Sequence, residues 1–390
     1  MCLSADSSGY AMSSPCRISG WALLLFMCSA EGNLAKRLFV KGNEAVAIAA
    51  IEAGCRYYFG YPITPQSDIP EYLSRELPKL DGEFIQAESE IAAINMLLGA
   101  SATGVRAMTS SSGPGISLKQ EGISYMAGSE LPGVIVDIAR SGPGLGGIDA
   151  SQADYFQAVK GGGHGDYRLI VLAPSSVQEM ADFMFDGFRL TERYRIPVMI
   201  LSDGALGQMM EKVTLAEDGS LPLVAREWAT TGKPASRERN YITSLHIEPE
   251  KMEQINLHLQ RKYAEVQKEV RYELIQTDDA EVVLVAFGLS ARVCQKVLDL
   301  ARAKGIRAGL VRPITLYPFP SAILSEISET AKAFLTVEMN AGQMVEDVRL
   351  AVNGKKPVFF KGRMGGMIPT PEEVLAELES IVDNQLVVHA

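Results

Sequence analysis

The sequence predicts an α/β fold, a doubly wound parallel sheet followed by a second, smaller α/β domain. Short apolar stretches alternate with helical stretches from residue 38 to residue 213, as in successive strand–helix–strand units. The alternation stops in a polar, charged segment and resumes at residue 281. A chain of 390 residues is also long enough for two or three domains of about 150 residues each.

Short runs rich in β-branched and aromatic residues predict six strands in the first domain. They cover residues 56–61, 84–86, 107–109, 133–139, 169–172 and 198–202. The helices between them include residues 44–53 and 176–191, and the second opens with a Ser176-x-x-Glu179 capping-box pattern. In the second domain the predicted elements are strands at 281–287, 308–311 and 333–337 and a helix at 293–304.

These elements place the first domain at residues 38–215 and the second at residues 280–390. Residues 216–279 form a linker whose later part, 249–275, has the pattern of a connecting helix. Residues 1–37 precede the regular pattern, and we interpret them as a disordered or misassigned extension. Their apolar stretch, 21–27, is shorter than the ~20 residues that span a bilayer, and a signal peptide is the alternative interpretation.

The composition is that of an ordinary globular protein, with 47% hydrophobic and 22% charged residues and a net charge of −10. No cluster of lysine and arginine offers a phosphate-binding surface, so neither nucleic acid nor a membrane is an expected partner. The five cysteines never form a C-x-x-C pair, which predicts no zinc or iron–sulfur site in this chain. Cys55 and Cys294 are interpreted as buried, reduced thiols of a cytoplasmic protein.

The motif Tyr61-Pro62-Ile63-Thr64-Pro65 follows a predicted strand and precedes a predicted helix. Its pattern predicts Thr64 at the N-cap and Pro65 at the first helical position, which requires no function. The segment Thr370-Pro371-Glu372-Glu373 has the same pattern with a capping box. The first copy differs in position, since it lies at the carboxyl end of a predicted strand. Ligands of doubly wound sheets bind at these strand ends.

The segment Glu88-Ser89-Glu90 opens a predicted helix, 91–102, that is apolar or small nearly all round and should therefore be buried. Acidic residues at a helix start are favoured by the helix dipole alone. A carboxylate that enters a buried element also needs a partner, however, and a ligand nitrogen could be that partner.

Two glycine-rich segments, 110–115 and 141–147, follow predicted strands and are candidates for flexible active-site loops. The second matches G-x-G-x-x-G, but Pro143 and the absence of a clear apolar helix after it argue against a dinucleotide-binding turn. Arg140, at the end of its strand, is the nearest fixed cation. A third glycine run, 161–166, contains His164, which has no nucleophile at a recognisable spacing.

Together these segments resemble the 2-oxoacid:ferredoxin oxidoreductase family, specifically its pyrimidine-binding (alpha-type) subunit. The resemblance covers residues 38–379. It rests on four motifs: Lys41-Gly42-Asn43-Glu44, Gly60-Tyr61-Pro62-Ile63-Thr64-Pro65, Glu88-Ser89-Glu90-Ile91-Ala92-Ala93 and Arg312-Pro313-Ile314-Thr315-Leu316-Tyr317-Pro318-Phe319-Pro320. The resemblance implies the thiamine-diphosphate-binding type of doubly wound sheet and a transketolase-C-terminal-like second domain.

The resemblance also implies roles for individual residues. In such families one glutamate hydrogen-bonds N1′ of the thiamine diphosphate pyrimidine and so promotes loss of the thiazolium C2 proton. The motif assigns this role to Glu90, with Glu88 as the alternative. Thr64 and Arg140 match contacts to the substrate carboxylate, and Tyr61 with Pro62 matches the lining of the pyrimidine pocket. No metal ligand is expected in this chain.

A partner subunit is implied because the chain has no Gly-Asp-Gly segment followed by paired asparagines, the part of the family that holds Mg²⁺ and the diphosphate. The resemblance therefore implies that thiamine diphosphate is shared with an iron–sulfur, beta-type subunit that carries Mg²⁺ and a 4Fe-4S cluster. It also implies a small ferredoxin-like subunit, ferredoxin as electron acceptor and coenzyme A as acyl acceptor. Such a chain would be active only with its partner.

The substrate class is indicated by residues 144–148, 161–165 and 202–204, which look closer to the 2-oxoisovalerate branch of the family than to the 2-oxoglutarate branch. We therefore expect oxidative decarboxylation of a branched-chain 2-oxoacid, 3-methyl-2-oxobutanoate, with 2-oxoglutarate as the alternative. A dinucleotide-dependent dehydrogenase and a non-catalytic scaffold subunit are remote alternatives.

Overall fold

A computed structural model describes residues 36–215, 221–222 and 226–383. The interpretation of the N-terminal extension therefore falls, for residues 1–35, outside the described residues. The strands are β1 (Lys36–Lys41), β2 (Tyr57–Gly60), β3 (Glu83–Gln86), β4 (Ala107–Ser111), β5 (Gly133–Ala139), β6 (Ile170–Leu172), β7 (Pro197–Asp203), β8 (Met210–Leu215), β9 (Tyr272–Ile275), β10 (Val282–Val285), β11 (Ala308–Pro313), β12 (Thr315–Tyr317), β13 (Ala333–Glu338) and β14 (Val358–Gly362).

The α-helices are α1 (Gly42–Glu52), α2 (Asp68–Glu76), α3 (Glu90–Ala102), α4 (Gly113–Gly128), α5 (Val177–Tyr194), α6 (Gly204–Gln208), α7 (Pro249–Val266), α8 (Gly288–Ala303), α9 (Ser321–Ile327), α10 (Met344–Val352) and α11 (Pro371–Ile381). None of the described helices has the length and apolar character needed to traverse a lipid bilayer.

The larger sheet has seven strands in the order β12-β6-β7-β5-β4-β2-β3. The strands predicted for the first domain are all present, and they run parallel to one another. Alternate side chains of β5 enter opposite cores. Val134 and Val136 pack in the core that contains α1 and α5, whereas Ile135 and Ala139 pack in the core that contains α3 and α4. Helices therefore cover both faces, as predicted for a doubly wound sheet.

The smaller sheet has five strands in the order β14-β13-β10-β11-β9. One face packs against α8 and α11, and the other shares the core of α3 and α4. The prediction that the connecting helix extends to residue 275 is wrong, because α7 ends at Val266 and β9 pairs antiparallel with β11. The strand β12 pairs antiparallel with β6 and so ties this part of the chain to the larger sheet.

Two predicted helix caps are confirmed, at Ser176 and Thr370, and the structure adds a third at Ser89. Ser89 and Ser176 accept hydrogen bonds from Ala92 N at 3.2 Å and Glu179 N at 3.1 Å. Thr370 forms a complete capping box with Glu373. The Ser176 box is incomplete, because the Glu179 carboxylate instead accepts from Ser175 N and pairs with Arg312.

The predicted N-cap at Thr64 is wrong, because α2 begins at Asp68. Long-range contacts hold residues 61–67 in a turn instead. Asn43 Nδ2 donates to Pro65 O at 2.8 Å and to Asp68 Oδ2 at 2.9 Å. Burial alone would raise the pKa of Asp68, but hydrogen bonds from Asn43, Lys41 and Gln208 outweigh it and lower the pKa. The first helical turn therefore starts where these donors meet.

The two glycine-rich segments differ in structure. Residues 110–115 were predicted to form a flexible loop, and this is wrong: they complete β4 and begin α4. Residues 141–149 do form a loop, closed by Ser141 N to Asp149 O at 3.0 Å and Gly147 N to Ser141 O at 2.9 Å. Cys55 and Cys294 are buried and free, and burial raises the pKa of the Cys55 thiol to about 12.

Candidate active site

The carboxyl ends of the parallel strands bring the predicted site residues to one edge of the larger sheet. Tyr61 and Pro62 follow β2, Glu90 opens α3 just after β3, and Arg140 follows β5. The backbone N of Ala87 donates to the oxygen of Gly60 at 2.9 Å, which aligns the start of α3 with the end of β2. Ligands of doubly wound sheets bind at this edge.

Glu90 is buried at this edge, with 6% of its surface exposed. Ser89 fixes the first turn of α3 beneath it. No hydrogen-bond donor among the described residues reaches the Glu90 carboxylate, and its oxygens are not among the fully buried polar atoms that lack a partner. Glu88 is exposed. The structure thus distinguishes two acids that sequence pattern leaves equivalent, and it leaves the Glu90 carboxylate free to bind a ligand.

The start of α4 forms the wall beside Glu90. A Cβ on Gly115 would lie 2.7 Å from Glu90 Oε1 and 2.1 Å from Ser111 Oγ, so a glycine is required for this close approach. The hydroxyls of Ser111 and Ser112 are buried and have no hydrogen-bond partner among residues 36–215, 221–222 and 226–383. This wall therefore places unpaired polar atoms and a closely packed glycine beside the Glu90 carboxylate.

Lys119 is a site residue that the sequence analysis missed. It is 0% exposed on the face of α4 that meets α3, and its Nζ donates to the backbone oxygen of Glu90 at 3.5 Å. Its position continues the buried stripe of Ile116 and Ile123 at helical spacing. A lysine within an apolar stripe was the available signal.

Arg140 is 8% exposed and is fixed by two backbone carbonyls. Its Nη1 donates to Thr64 O at 2.9 Å and its Nη2 to Leu145 O at 3.0 Å. Its Nε is buried without a partner in the described ranges. Because these acceptors are neutral, the guanidinium can still attract an anion at the mouth of the site.

The backbone oxygen of Thr64 accepts a hydrogen bond from Arg140, but the side chain of Thr64 lies in a different part of the site. Thr64 is exposed, and its hydroxyl makes no hydrogen bond to the described residues. It lines a cleft of about 550 Å³ together with Asp68, Ile148 and Gln208. The two predicted substrate residues are therefore adjacent, although they line neighbouring clefts.

A larger cleft of about 860 Å³ lies between the two sheets and contains Arg140. Asn340 Nδ2 donates to Gln152 O at 2.9 Å, and Gln343 Nε2 donates to Ala153 O at 2.8 Å. These two hydrogen bonds connect the two walls of the cleft. The rest of its lining includes Pro143, Phe156, Met339 and Met364. The cleft thus combines one cation with a largely apolar surface.

A pair of buried acids, Asp137 and Asp154, lies beside this cleft. Gln157 Nε2 donates to Asp154 Oδ1 at 2.6 Å, but no donor in the part of the chain described here reaches the Asp137 carboxylate. Burial and the charge of Asp154 raise the pKa of Asp137 well above its usual value. The charge of Asp154 therefore disfavours ionisation of the buried Asp137 carboxyl group.

His164 does not join the site. It is exposed in its glycine-rich loop, and its backbone oxygen accepts from Ser124 Oγ at 2.7 Å. The described residues also contain no group of three or more His, Cys, Asp or Glu side chains able to hold a metal ion.

Comparison with known protein families decides the identity of this arrangement. Residues 48–283 match the family described as "Pyruvate flavodoxin/ferredoxin oxidoreductase, thiamine diP-bdg", and residues 280–374 match "Pyruvate:ferredoxin oxidoreductase core domain II". The chain belongs to the 2-oxoacid:ferredoxin oxidoreductase family. Glu90, Arg140 and Thr64 all lie in the thiamine diphosphate-binding region of the family.

Two relatives of this chain within the family are named for different substrates. The chain is 53% identical to the ketoisovalerate oxidoreductase subunit VorB of Methanothermobacter marburgensis, over 88% of this chain and 97% of that protein. It is 38% identical to the 2-oxoglutarate synthase subunit KorA of Methanocaldococcus jannaschii, over 86% of this chain and 97% of the relative.

Solved structures support the same family and fold. The 2-oxoglutarate:ferredoxin oxidoreductase from Magnetococcus marinus aligns with a TM-score of 0.80 and 28% identity, covering 88% of this chain. The chain spans 65% of that longer chain. A split gene transketolase, 15% identical, aligns with a TM-score of 0.56 over 90% of this chain and 99% of its own. The second match confirms the predicted transketolase-like fold.

Proposed function

We propose that this chain is the pyrimidine-binding subunit of an enzyme that oxidatively decarboxylates 3-methyl-2-oxobutanoate to its acyl-CoA, with ferredoxin as electron acceptor. The observation that carries the proposal is Glu90, a residue only 6% exposed whose carboxylate has no donor in the described chain and lies at the ligand-binding edge of the family's thiamine diphosphate-binding sheet. An acid in this state is free to accept a hydrogen bond from a group supplied from outside the chain.

The residues around Glu90 fit the aminopyrimidine of thiamine diphosphate. The unpaired hydroxyls of Ser111 and Ser112 would offer hydrogen-bonding groups to the ring, and Gly115 has no side chain that would displace the Glu90 carboxylate. Tyr61 and Pro62, exposed after β2, would line it. When bound, the cofactor supplies a nucleophilic carbon at thiazolium C2 that attacks the 2-oxo group. Glu90 would hold the proton at pyrimidine N1′ as a hydrogen-bond acceptor.

Arg140 would bind the carboxylate of the 2-oxoacid. Its guanidinium is held by carbonyls and keeps its charge available toward the larger cleft. Thr64, next to it, would contribute a hydroxyl from the neighbouring cleft. A charge-assisted contact of this type orients the acid before carbon dioxide leaves.

The lining of the clefts favours a branched-chain acid over 2-oxoglutarate. Arg140 is the one cation among the described residues that line the two clefts at this edge, so the chain offers no second cation for a second carboxylate. Phe156, Met339 and Met364 instead suit an alkyl group. The relative named for ketoisovalerate is also more similar to this chain than the relative named for 2-oxoglutarate.

A partner subunit would cover this edge. Exposed apolar side chains surround the site on five segments, namely Tyr61, Ile91, Leu118, Leu145, Ile148, Met364 and Met367. Leu145 is 83% exposed. Apolar groups clustered in this way mark an interface. We propose that the partner is a beta-type subunit with Mg²⁺ and a 4Fe-4S cluster, joined by a small ferredoxin-like subunit.

The isolated chain is expected neither to reduce a viologen dye nor to bind thiamine diphosphate tightly, since the diphosphate half of the site belongs to the partner. The reconstituted complex should reduce the dye faster with 3-methyl-2-oxobutanoate than with 2-oxoglutarate. Dye reduction and cofactor binding are measured for chain and complex in parallel. Turnover by the single purified chain would disprove the shared site, and a preference for 2-oxoglutarate would disprove the substrate assignment.

Thr64→Ala is expected to raise the KM for the 2-oxoacid and to leave stability nearly unchanged. Thr64 caps no helix and its hydroxyl has no partner in the described structure, so the loss of stability should stay within about 0.5 kcal/mol. Thr370→Ala is the matched control, since it removes a true cap at a cost of about 1 kcal/mol with KM unchanged. An unchanged KM in Thr64→Ala would exclude the substrate contact.

A further inference from the structure

Gln152 lies between the two sheets, beside the larger cleft, and its side-chain amide is fully hydrogen-bonded. It is 3% exposed. Its Oε1 accepts hydrogen bonds from Ser290 Oγ at 2.8 Å and Met339 N at 3.0 Å, and its Nε2 donates to Phe287 O at 2.9 Å. An amide oxygen accepts and an amide nitrogen donates, so these partners also fix the direction in which the amide faces.

The backbone of Gln152 contacts the same part of the chain. Its N donates to Met339 O at 3.0 Å, and its O accepts from Asn340 Nδ2 at 2.9 Å. Gly288 has a φ of 52°, and a Cβ there would lie 3.1 Å from Gln152 Nε2. A glycine thus permits both the left-handed backbone and the close approach. One residue of the segment after β5 therefore holds the carboxyl ends of β10 and β13.

The segment that carries Gln152 is also tied to Arg140. Arg140 and Ala150 form an antiparallel bridge, so the approach to Gln152 starts beside the arginine. Arg140 and Met339 both line the larger cleft. The connection from Arg140 through Ala150 to Gln152 therefore sets how far Met339 lies from Arg140.

This separation matters for the size of the substrate. If the carboxylate of the 2-oxoacid binds Arg140, its alkyl group has to fit between that residue and the apolar wall that includes Met339. One methylene more or less in an apolar pocket changes kcat/KM by about 10- to 200-fold. Discrimination of this size requires a wall that keeps its position, because a wall that yields accepts the longer acid.

We propose that Gln152 is a positioning residue for substrate selection, whose amide holds Met339 at a fixed separation from Arg140 and so limits the length of the 2-oxoacid side chain. The inference rests on the proposed function and adds the residue that sets the size of its substrate site. Gln152 acts through Met339 and is not among the residues that line the cleft. Without the amide, Met339 N and Phe287 O lose their partner, and the wall is free to shift.

The test compares 3-methyl-2-oxobutanoate with 4-methyl-2-oxopentanoate, which is one methylene longer, in the assembled complex. In Gln152→Met the ratio of kcat/KM for the longer acid to that for the shorter acid should rise by about tenfold. C2 exchange of bound thiamine diphosphate should stay at the wild-type rate, because the partners of Gln152 follow strands of the smaller sheet whereas Glu90 lies on α3.

Amide hydrogen exchange at Met339 gives a readout that does not depend on turnover. Met339 N donates to Gln152 Oε1 in the structure. In Gln152→Met this amide should exchange about two- to tenfold faster, as the loss of one hydrogen bond implies. Exchange at the wild-type rate would show that the amide does not hold the wall, and would overturn the proposal.

Tyr155→Phe is the matched control. The Tyr155 hydroxyl donates to Asp347 Oδ2 at 2.6 Å, a buried hydrogen bond between the same two parts of the chain, and neither residue lines the larger cleft. Its loss should lower the melting temperature and leave the substrate ratio unchanged. A shift as large as that of Gln152→Met would show that any loosening between the sheets alters selectivity, and the specific role of Gln152 would be wrong.

Ser290→Ala is a milder variant, since it removes one hydrogen bond to the amide and leaves the amide in place. Its substrate ratio should rise by about two- to threefold. If Gln152→Met does not assemble, Ser290→Ala decides the question. A raised ratio in this variant would support the proposal, and an unchanged ratio would overturn it.

Met339→Ala separates this inference from the proposed function. It shortens the wall directly, so the substrate ratio should rise whether or not Gln152 positions the wall. A raised ratio in Met339→Ala with an unchanged ratio in Gln152→Met would contradict the inference about Gln152 alone. An unchanged ratio in Met339→Ala would show that the alkyl group does not bind at this wall, which would overturn the inference together with the proposed use of the larger cleft.

Discussion

Glu90→Gln is expected to slow hydrogen–deuterium exchange at C2 of bound thiamine diphosphate by about 10²- to 10⁴-fold in the assembled complex. Glutamine keeps the size and shape of the side chain but removes the negative charge that favours a proton on pyrimidine N1′. Cofactor occupancy should fall much less than the exchange rate, because the partner subunit would still hold the diphosphate. Exchange and occupancy are measured on the same preparations.

Stability gives the first control for Glu90→Gln. The substitution removes an acid from the first turn of α3, where its interaction with the helix dipole contributes about 0.3–1 kcal/mol. The melting transition should therefore change little. A large loss of stability would mean that the slow exchange reflects a damaged fold.

Glu88→Gln is the second control, since it removes an exposed acid from the same helix start. Its exchange rate should equal that of the wild type. Fast exchange in Glu90→Gln with slow exchange in Glu88→Gln would move the role to Glu88. Fast exchange in both variants would remove the glutamate mechanism from this chain.

The caps show how far local sequence predicts local structure. Ser89, Ser176 and Thr370 cap the helices predicted for them, because each cap is a bond between residues three positions apart. Thr64 has the same local pattern and does not cap. The turn that contains Thr64 is set by a hydrogen bond from the Asn43 side chain to Pro65 O, 22 residues further along the chain. The local pattern around Thr64 carries no information about a contact of this range.

The site shows the same division between local and long-range information. The strand pattern was sufficient to place Glu90 and Arg140 at one edge, because parallel strands end together. The burial that separates Glu90 from Glu88 depends on how α4 packs on α3. The burial of Lys119 depends on the same packing, although its place in the apolar stripe of Ile116 and Ile123 is visible in the sequence.

The position of Arg140 has a direct consequence for substrate binding. Among the described residues that line the larger cleft it is the one cation, and its acceptors are backbone carbonyls. A substrate carboxylate could therefore form a charged hydrogen bond with the Arg140 guanidinium, whose charge also acts on Asp154 in the same cleft. Removal of one partner from a buried, hydrogen-bonded charge pair costs about 2–5 kcal/mol, which is large relative to most surface substitutions.

Arg140→Met is expected to lower kcat/KM for 3-methyl-2-oxobutanoate by about 30- to 5,000-fold, as that free energy implies. C2 exchange should stay near the wild-type rate, because the cofactor loses its C2 proton before substrate is bound. Arg140→Lys should recover part of the loss, since it keeps the charge but not the planar fork. Steady-state kinetics and exchange are measured on the same complexes.

Arg195→Met is the matched control for Arg140→Met, because Arg195 also donates to a backbone carbonyl, Glu130 O at 3.0 Å, but lies before β7 at the opposite edge of the sheet. It should lose stability and keep its KM. If Arg140→Met slowed C2 exchange as much as kcat/KM, the residue would support the fold of the site and would not bind substrate. Exchange that stays fast while kcat/KM falls would place the Arg140 guanidinium on the carboxylate of the 2-oxoacid.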